Sequence, residues 1–175
     1  MKILKWIAII IVALIAIPLI LALFVPKNYT VKRTVTINRP VTEVFDYVKH
    51  IKNQDEYSVW NQKDPAMKKD YSGTDGTVGF TYHWDGNDEV GEGIQEITDI
   101  QQNEKIAMAL HFKRPWESEA AAWMATQPEA NGTAVTWGMK GESPYPWNAM
   151  NLFMGSMVGN DLQQGLENMK TNLEK

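Results

Sequence analysis

Residues 147–175 read WNAMNLFMGSMVGNDLQQGLENMKTNLEK, and this closing stretch decides the architecture. Trp147, Met150, Met154, Met157, Val158, Leu162, Leu166, Met169 and Leu173 recur at helical spacing, so one apolar stripe is predicted along a single long helix. Asn148, Asn151, Asp161, Gln164, Glu167 and Lys170 are expected on its polar face. Pro144 and Pro146 end whatever precedes it.

Upstream, the period changes from helical to twofold. Tyr29, Val31, Arg33, Val35 and Ile37 alternate with Thr30, Lys32, Thr34 and Thr36, which predicts a strand. Pro40 then suits a helix start, and Val41, Val44, Phe45, Val48 and Ile51 form the apolar stripe of a short helix; a second is expected over Asp55 to Trp60. After Pro65 alternation resumes. Val78, Phe80, Tyr82 and Trp84 share a face, Asp85-Gly86-Asn87-Asp88 makes a turn, and strands follow over 89–100, 105–113, 117–127 and 133–141, with Asn131-Gly132 as the clearest hairpin signal. About seven strands result. An antiparallel sheet needs its apolar face covered, and only the closing helix is long enough, so the fold class is α+β.

Trp6 to Val25 is apolar at every position except Pro18, and twenty residues at about 1.5 Å each span a hydrocarbon core of about 30 Å. Trp6 and Lys27 stand where interfacial residues belong. A cleaved signal peptide has a shorter apolar core and a small-x-small site, which Leu21-Ala-Leu-Phe-Val-Pro26 does not supply. The expectation is a single-pass membrane anchor over 1–26 and one domain over 27–175. Lys2, Lys5 and the amino terminus nearly balance Lys27, Lys32, Arg33 and Arg39; assigning the later cations to a folded strand places the domain on the non-cytoplasmic side.

The domain carries 15 basic against 21 acidic groups, which argues against nucleic acid as a partner. With no cysteine there is no thiolate nucleophile, and His50, His83 and His111 have no metal-binding spacing; neither metal nor cofactor is expected. No Ser stands in a nucleophile elbow. The acidic turn Asp85 to Glu92 lacks a calcium-loop pattern and reads as solvated, while His111-Phe112-Lys113-Arg114 supplies dense positive charge suited to an anionic head group or simply to a strand end.

The run from Tyr29 to Val48, the Trp60-Asn61 pair, Gly91-Glu-Gly93 and Leu166, in this element order, resemble the polyketide cyclase and START-related lipid-binding superfamily. The resemblance covers Tyr29 to Leu173. It implies a helix-grip fold, in which a curved antiparallel sheet wraps the last helix and leaves a cavity, and it implies binding of lipids, sterols or other hydrophobic small molecules; some members cyclise polyketides.

On that reading the ligand-lining candidates come from three regions. Phe80, Tyr82 and Trp84, with Met108, Leu110 and Phe112, line one side of the sheet, and Val135, Trp137 and Met139 continue it. Met150, Met154 and Met157 would face them from the helix, where flexible thioethers suit a ligand of irregular outline, or equally a packed core that happens to use Met. Gly155 and Gly159 would let a sheet edge or a ligand approach the helix closely. The function expected is membrane-anchored binding of a lipid-like molecule, more in keeping with a binder than an enzyme. Two alternatives stay open. One is a polyketide cyclase or dehydratase in which His83 or His111 is turned inward, with Tyr82 or Asp85 as proton partner; the other is a cavity-free protein-interaction module.

Overall fold

A computed structural model describes residues 2–175; Met1, and with it the terminal charge weighed for orientation, lies outside the described residues. Helix α1 (Lys2–Ala22) contains Pro18, and its Ile3–Ala22 portion is long and apolar enough to cross a membrane. Nearly all of its described side chains are exposed. After it come β1 (Asn28–Ile37), α2 (Val41–Lys49), a 3-10 turn (Ile51–Asn53), α3 (Gln54–Tyr57) and α4 (Val59–Lys63). Six strands follow: β2 (Lys68–Ser72), β3 (Thr81–Asp85), β4 (Glu92–Gln101), β5 (Lys105–Arg114), β6 (Ser118–Glu129) and β7 (Gly132–Glu142). A 3-10 turn (Trp147–Met150) then leads into α5 (Asn151–Leu173).

All seven strands form one antiparallel sheet in the order β1-β7-β6-β5-β4-β3-β2. Hairpins join neighbours from β2 to β7, whereas β1 reaches the far edge beside β7 because the three short helices intervene. The alternation read from sequence sets the faces: Val31, Val35, Tyr82, Trp84, Met108, Met124, Val135 and Trp137 all join the core. Helix α5 lies closest to β1 and buries Leu162, Leu166 and Met169. Val44, Phe45 and Val48 of α2 enter the same core, each worth about 1.5–3 kcal/mol on burial. This is the α+β helix-grip arrangement.

Three local expectations change. Val78 is exposed in the turn before β3, off the Phe80 face, because the chain bends at Gly79, whose φ is +85°. The second short helix divides at Ser58, whose backbone is extended. The closing helix begins four residues later than its apolar pattern suggests, and Asn148, expected on a wet face, is buried.

Candidate functional site

The twelve candidate lining residues fall into three groups. Phe80, Tyr82, Trp84, Met108, Val135 and Trp137 are on the inner face but sealed in the core. Leu110, Phe112, Met139 and Met154 are half-buried. Met150, in the 3-10 turn, and Met157, on α5, are exposed. The helix geometry explains the last result. Nine residues at 3.6 per turn place Met157 on the opposite side from the fully buried Leu166; spacings of three and four, chained along the sequence, had drifted around the helix.

The sealed end is filled by aromatics. Tyr57 from α3 is wholly buried and meets Trp137 edge-on at 5.7 Å, and Trp60 also meets Trp137 edge-on at 6.0 Å. Across β2, β3 and β5, Tyr71, Tyr82, Trp84 and Phe112 make a ladder at 5.2, 5.9 and 5.8 Å. Gly93 is required here, since a Cβ on it would come within 2.5 Å of the Trp84 indole. Aromatic packing thus closes this part of the space between sheet and helices. Concavities lie on α1 around Ile9 and Val12 and, with a volume of about 310 Å³, around Thr98, Ala107, Ala121 and Trp123.

What the inner face does present is a set of half-buried apolar side chains outside the sealed core. Small residues stand beside them in the strands, since Leu110 pairs with Ala120, Ala120 with Gly141, and Met139 with Ala122; of these Ala122 is buried and the Tyr29 phenol lies against Gly141. Phe112 and Leu110 lie on β5, Met139 on β7, and Met154 with Val158 on α5; all five are half-buried.

Polar groups near this face are few and mostly committed. Gln95, two residues from Ile97 and on the same face, is buried and donates to Met108 Sδ at 2.8 Å; its strand parity was the signal by which sequence reading could have found it. The Tyr57 hydroxyl donates to Met124 Sδ at 3.8 Å, and burial pushes its pKa well up; burial likewise raises Tyr82. Both phenols stay neutral. Arg33, on the inner side of β1, passes under α5 and donates from Nη2 to Gly155 O at 2.7 Å. It occupies the space left by Gly159, so the helix glycines admit an arginine rather than a sheet edge or a ligand.

The histidines lie outside. His83 Nε2 is 3.1 Å from Glu92 Oε1 and its Nδ1 3.6 Å from Asp70, while His111 Nδ1 is 3.3 Å from Glu119. Neither is placed to act on a molecule held against the inner face. Nor is the acidic turn freely solvated: Asp85 and Glu92 both pair with Arg114, and Lys113 joins Glu92 at 3.2 Å. The basic cluster at the end of β5 is thus largely neutralised within the domain. Hydrogen bonds from His83, then Lys113 and Arg114, hold the Glu92 carboxyl down to about 2. Among the described residues no group of three His, Asp or Glu could hold a metal.

Comparison with known proteins agrees with this architecture. The family model described as "Polyketide cyclase / dehydrase and lipid transport" matches residues 29–174. A crystal structure of a protein from Rhizobium leguminosarum superposes with a TM-score of 0.63 at 15% identity, over 84% of this chain and 95% of that one. The di-domain ARO/CYC StfQ of the steffimycin biosynthetic pathway gives 0.63 at 9% identity, over 84% and 51%. The Aha1 dimer from Colwellia psychrerythraea gives 0.55 at 14% identity, over 83% and 96%. Identities this low establish the shared fold alone. No curated protein matches the chain.

Proposed function

The chain belongs to the polyketide cyclase/dehydrase and lipid transport family, and from that premise we propose that it binds a hydrophobic or amphipathic, lipid-like molecule without covalent chemistry. In this reading residues 1–26 anchor the protein in a membrane as a single pass, and residues 27–175 form the binding domain on the non-cytoplasmic side. The observation that carries the reading is the half-buried state of Leu110, Phe112, Met139 and Met154 beside small strand residues, which we read as the walls of an apolar slot between sheet and helix. Apolar surface left accessible beside small residues is suited to an acyl or polycyclic guest. Anchoring beside lipid shortens the route of a molecule that dissolves poorly in water.

Native mass spectrometry of the full chain, released from nanodiscs, tests this. One apolar molecule per chain is expected to persist after bulk lipid is stripped, and Met154→Trp, which fills the slot, is expected to lose it. Equal retention by both forms would reject the slot, since lipid bound only around α1 is indifferent to Met154.

A further inference from the structure

We infer that the edge of the domain from which α1 emerges lies in the interfacial layer of the bilayer, with the first half of α5 and the β5–β6 hairpin in contact with lipid. This rests on the anchored reading of α1 and extends it to a second, peripheral contact.

The strand register defines that edge. The start of β1 pairs with the end of β7 (Asn28 with Glu142), the end of β5 with the start of β6 (Phe112 with Ser118), and the end of β3 with the start of β4 (Asp85 with Glu92). All these ends share one rim. Helix α1 is fastened there by side chains that satisfy backbone carbonyls at its end: Asn148 Nδ2 donates to Ala22 O and Val25 O, both at 2.7 Å, and Asn151 Nδ2 to Pro26 O at 3.0 Å and Lys27 O at 2.8 Å. The first turns of α5 are thereby fixed beside the end of the span.

Those turns have an unusual surface. No charged residue occurs between Glu142 and Asp161. Met154 and Val158 turn inward, yet the outer side is apolar too: Trp147 is 70% exposed, Phe153 56% and Met157 57%. Trp116, at the tip of the β5–β6 hairpin on the same rim, is 71% exposed. Farther along α5 the outer side reverts to Gln164, Glu167 and Thr171. An apolar outer surface confined to the half-helix nearest the span, and flanked by tryptophans, is what the headgroup and acyl boundary accepts. The patch is also continuous with exposed Leu23 and Phe24 at the end of the span, which makes lipid its occupant in preference to a protein. The slot, bordered by Phe112 and Met154, would then open toward the bilayer.

The absence of cysteine permits a direct test on the full chain. Single Phe153→Cys, Trp116→Cys, Ile15→Cys and Gln164→Cys variants are labelled with an environment-sensitive fluorophore. They are reconstituted in vesicles of phosphatidylcholine with a minority of phosphatidylglycerol, with or without nitroxide on the acyl chains. Probes at 153 and 116 are expected to shift to the blue and to be quenched about twofold, as insertion to the acyl boundary requires, with the probe at 164 unchanged. Probes at 153 and 116 that behave like 164 while 15 is quenched would overturn the docking and leave the anchor standing. An unquenched probe at 15 would overturn the anchor and the docking with it. A blue shift without quenching would assign the patch to a protein surface and also overturn the proposal.

Discussion

Gly159→Ala offers a sharp test of how α5 is seated. A helix gains about 1 kcal/mol when an interior Gly becomes Ala. Here the new methyl would lie 2.6 Å from Arg33 Cζ and 3.1 Å from Nη1, so the guanidinium must withdraw. Withdrawal breaks its 2.7 Å bond to Gly155 O. A hydrogen bond to a charged group contributes about 1.5–3 kcal/mol, reduced to about 1–2 for a group as exposed as this one. The single substitution should therefore be neutral or destabilising by up to about 1 kcal/mol, despite its better helix propensity. With Arg33→Ala already in place the obstacle is gone, and Gly159→Ala should stabilise by about 1 kcal/mol. The coupling is then about 1–2 kcal/mol, read from urea unfolding of the four full-length forms in detergent micelles by circular dichroism. Two substitutions that add to within about 0.5 kcal/mol would refute the reasoning, as would simple stabilisation of the wild-type chain by Gly159→Ala.

Three further outcomes follow from the same packing and ion pairs. Leu166→Ala should cost about 2–5 kcal/mol in urea unfolding, whereas Met157→Ala should stay within about 0.5; similar values would mean that α5 is rotated from the orientation described. Because the Glu92 carboxyl is held at about 2 against an ordinary 4.5, its stabilisation is present above about pH 4.5 and fades as pH falls toward 2; Glu92→Gln should flatten that part of the thermal-stability profile, and an unchanged acid slope would remove the ion cluster from the account. Asn148→Leu should speed tryptic cleavage after Lys27, since the ends of α1 and β1 lose their fastening, and an unchanged cleavage rate would show that the fastening is dispensable.

Much of the sheet was legible because its signal is local. A residue's parity along β3, β5 or β7 decides its face, so Tyr82, Met108 and Val135 could be placed inward before any partner strand was known. The family resemblance carried by Tyr29 to Val48 and the Trp60-Asn61 pair pointed to the same architecture. The site was less legible. Alternation puts Trp137 and Met139 on one face alike, but only the arrival of Tyr57 and Trp60 from the short helices seals the first and leaves the second half-open.

Sequence by itself determined the apolar span, the alternating strands and the helical character of 151–173, because backbone periodicity is a property of neighbouring residues. Tertiary structure alone decided that Asn148 fastens the end of α1, that Gly159 accommodates Arg33, and that Met150 and Met157 face outward. Each of these depends on which distant segment stands opposite, and a local pattern carries no record of that segment.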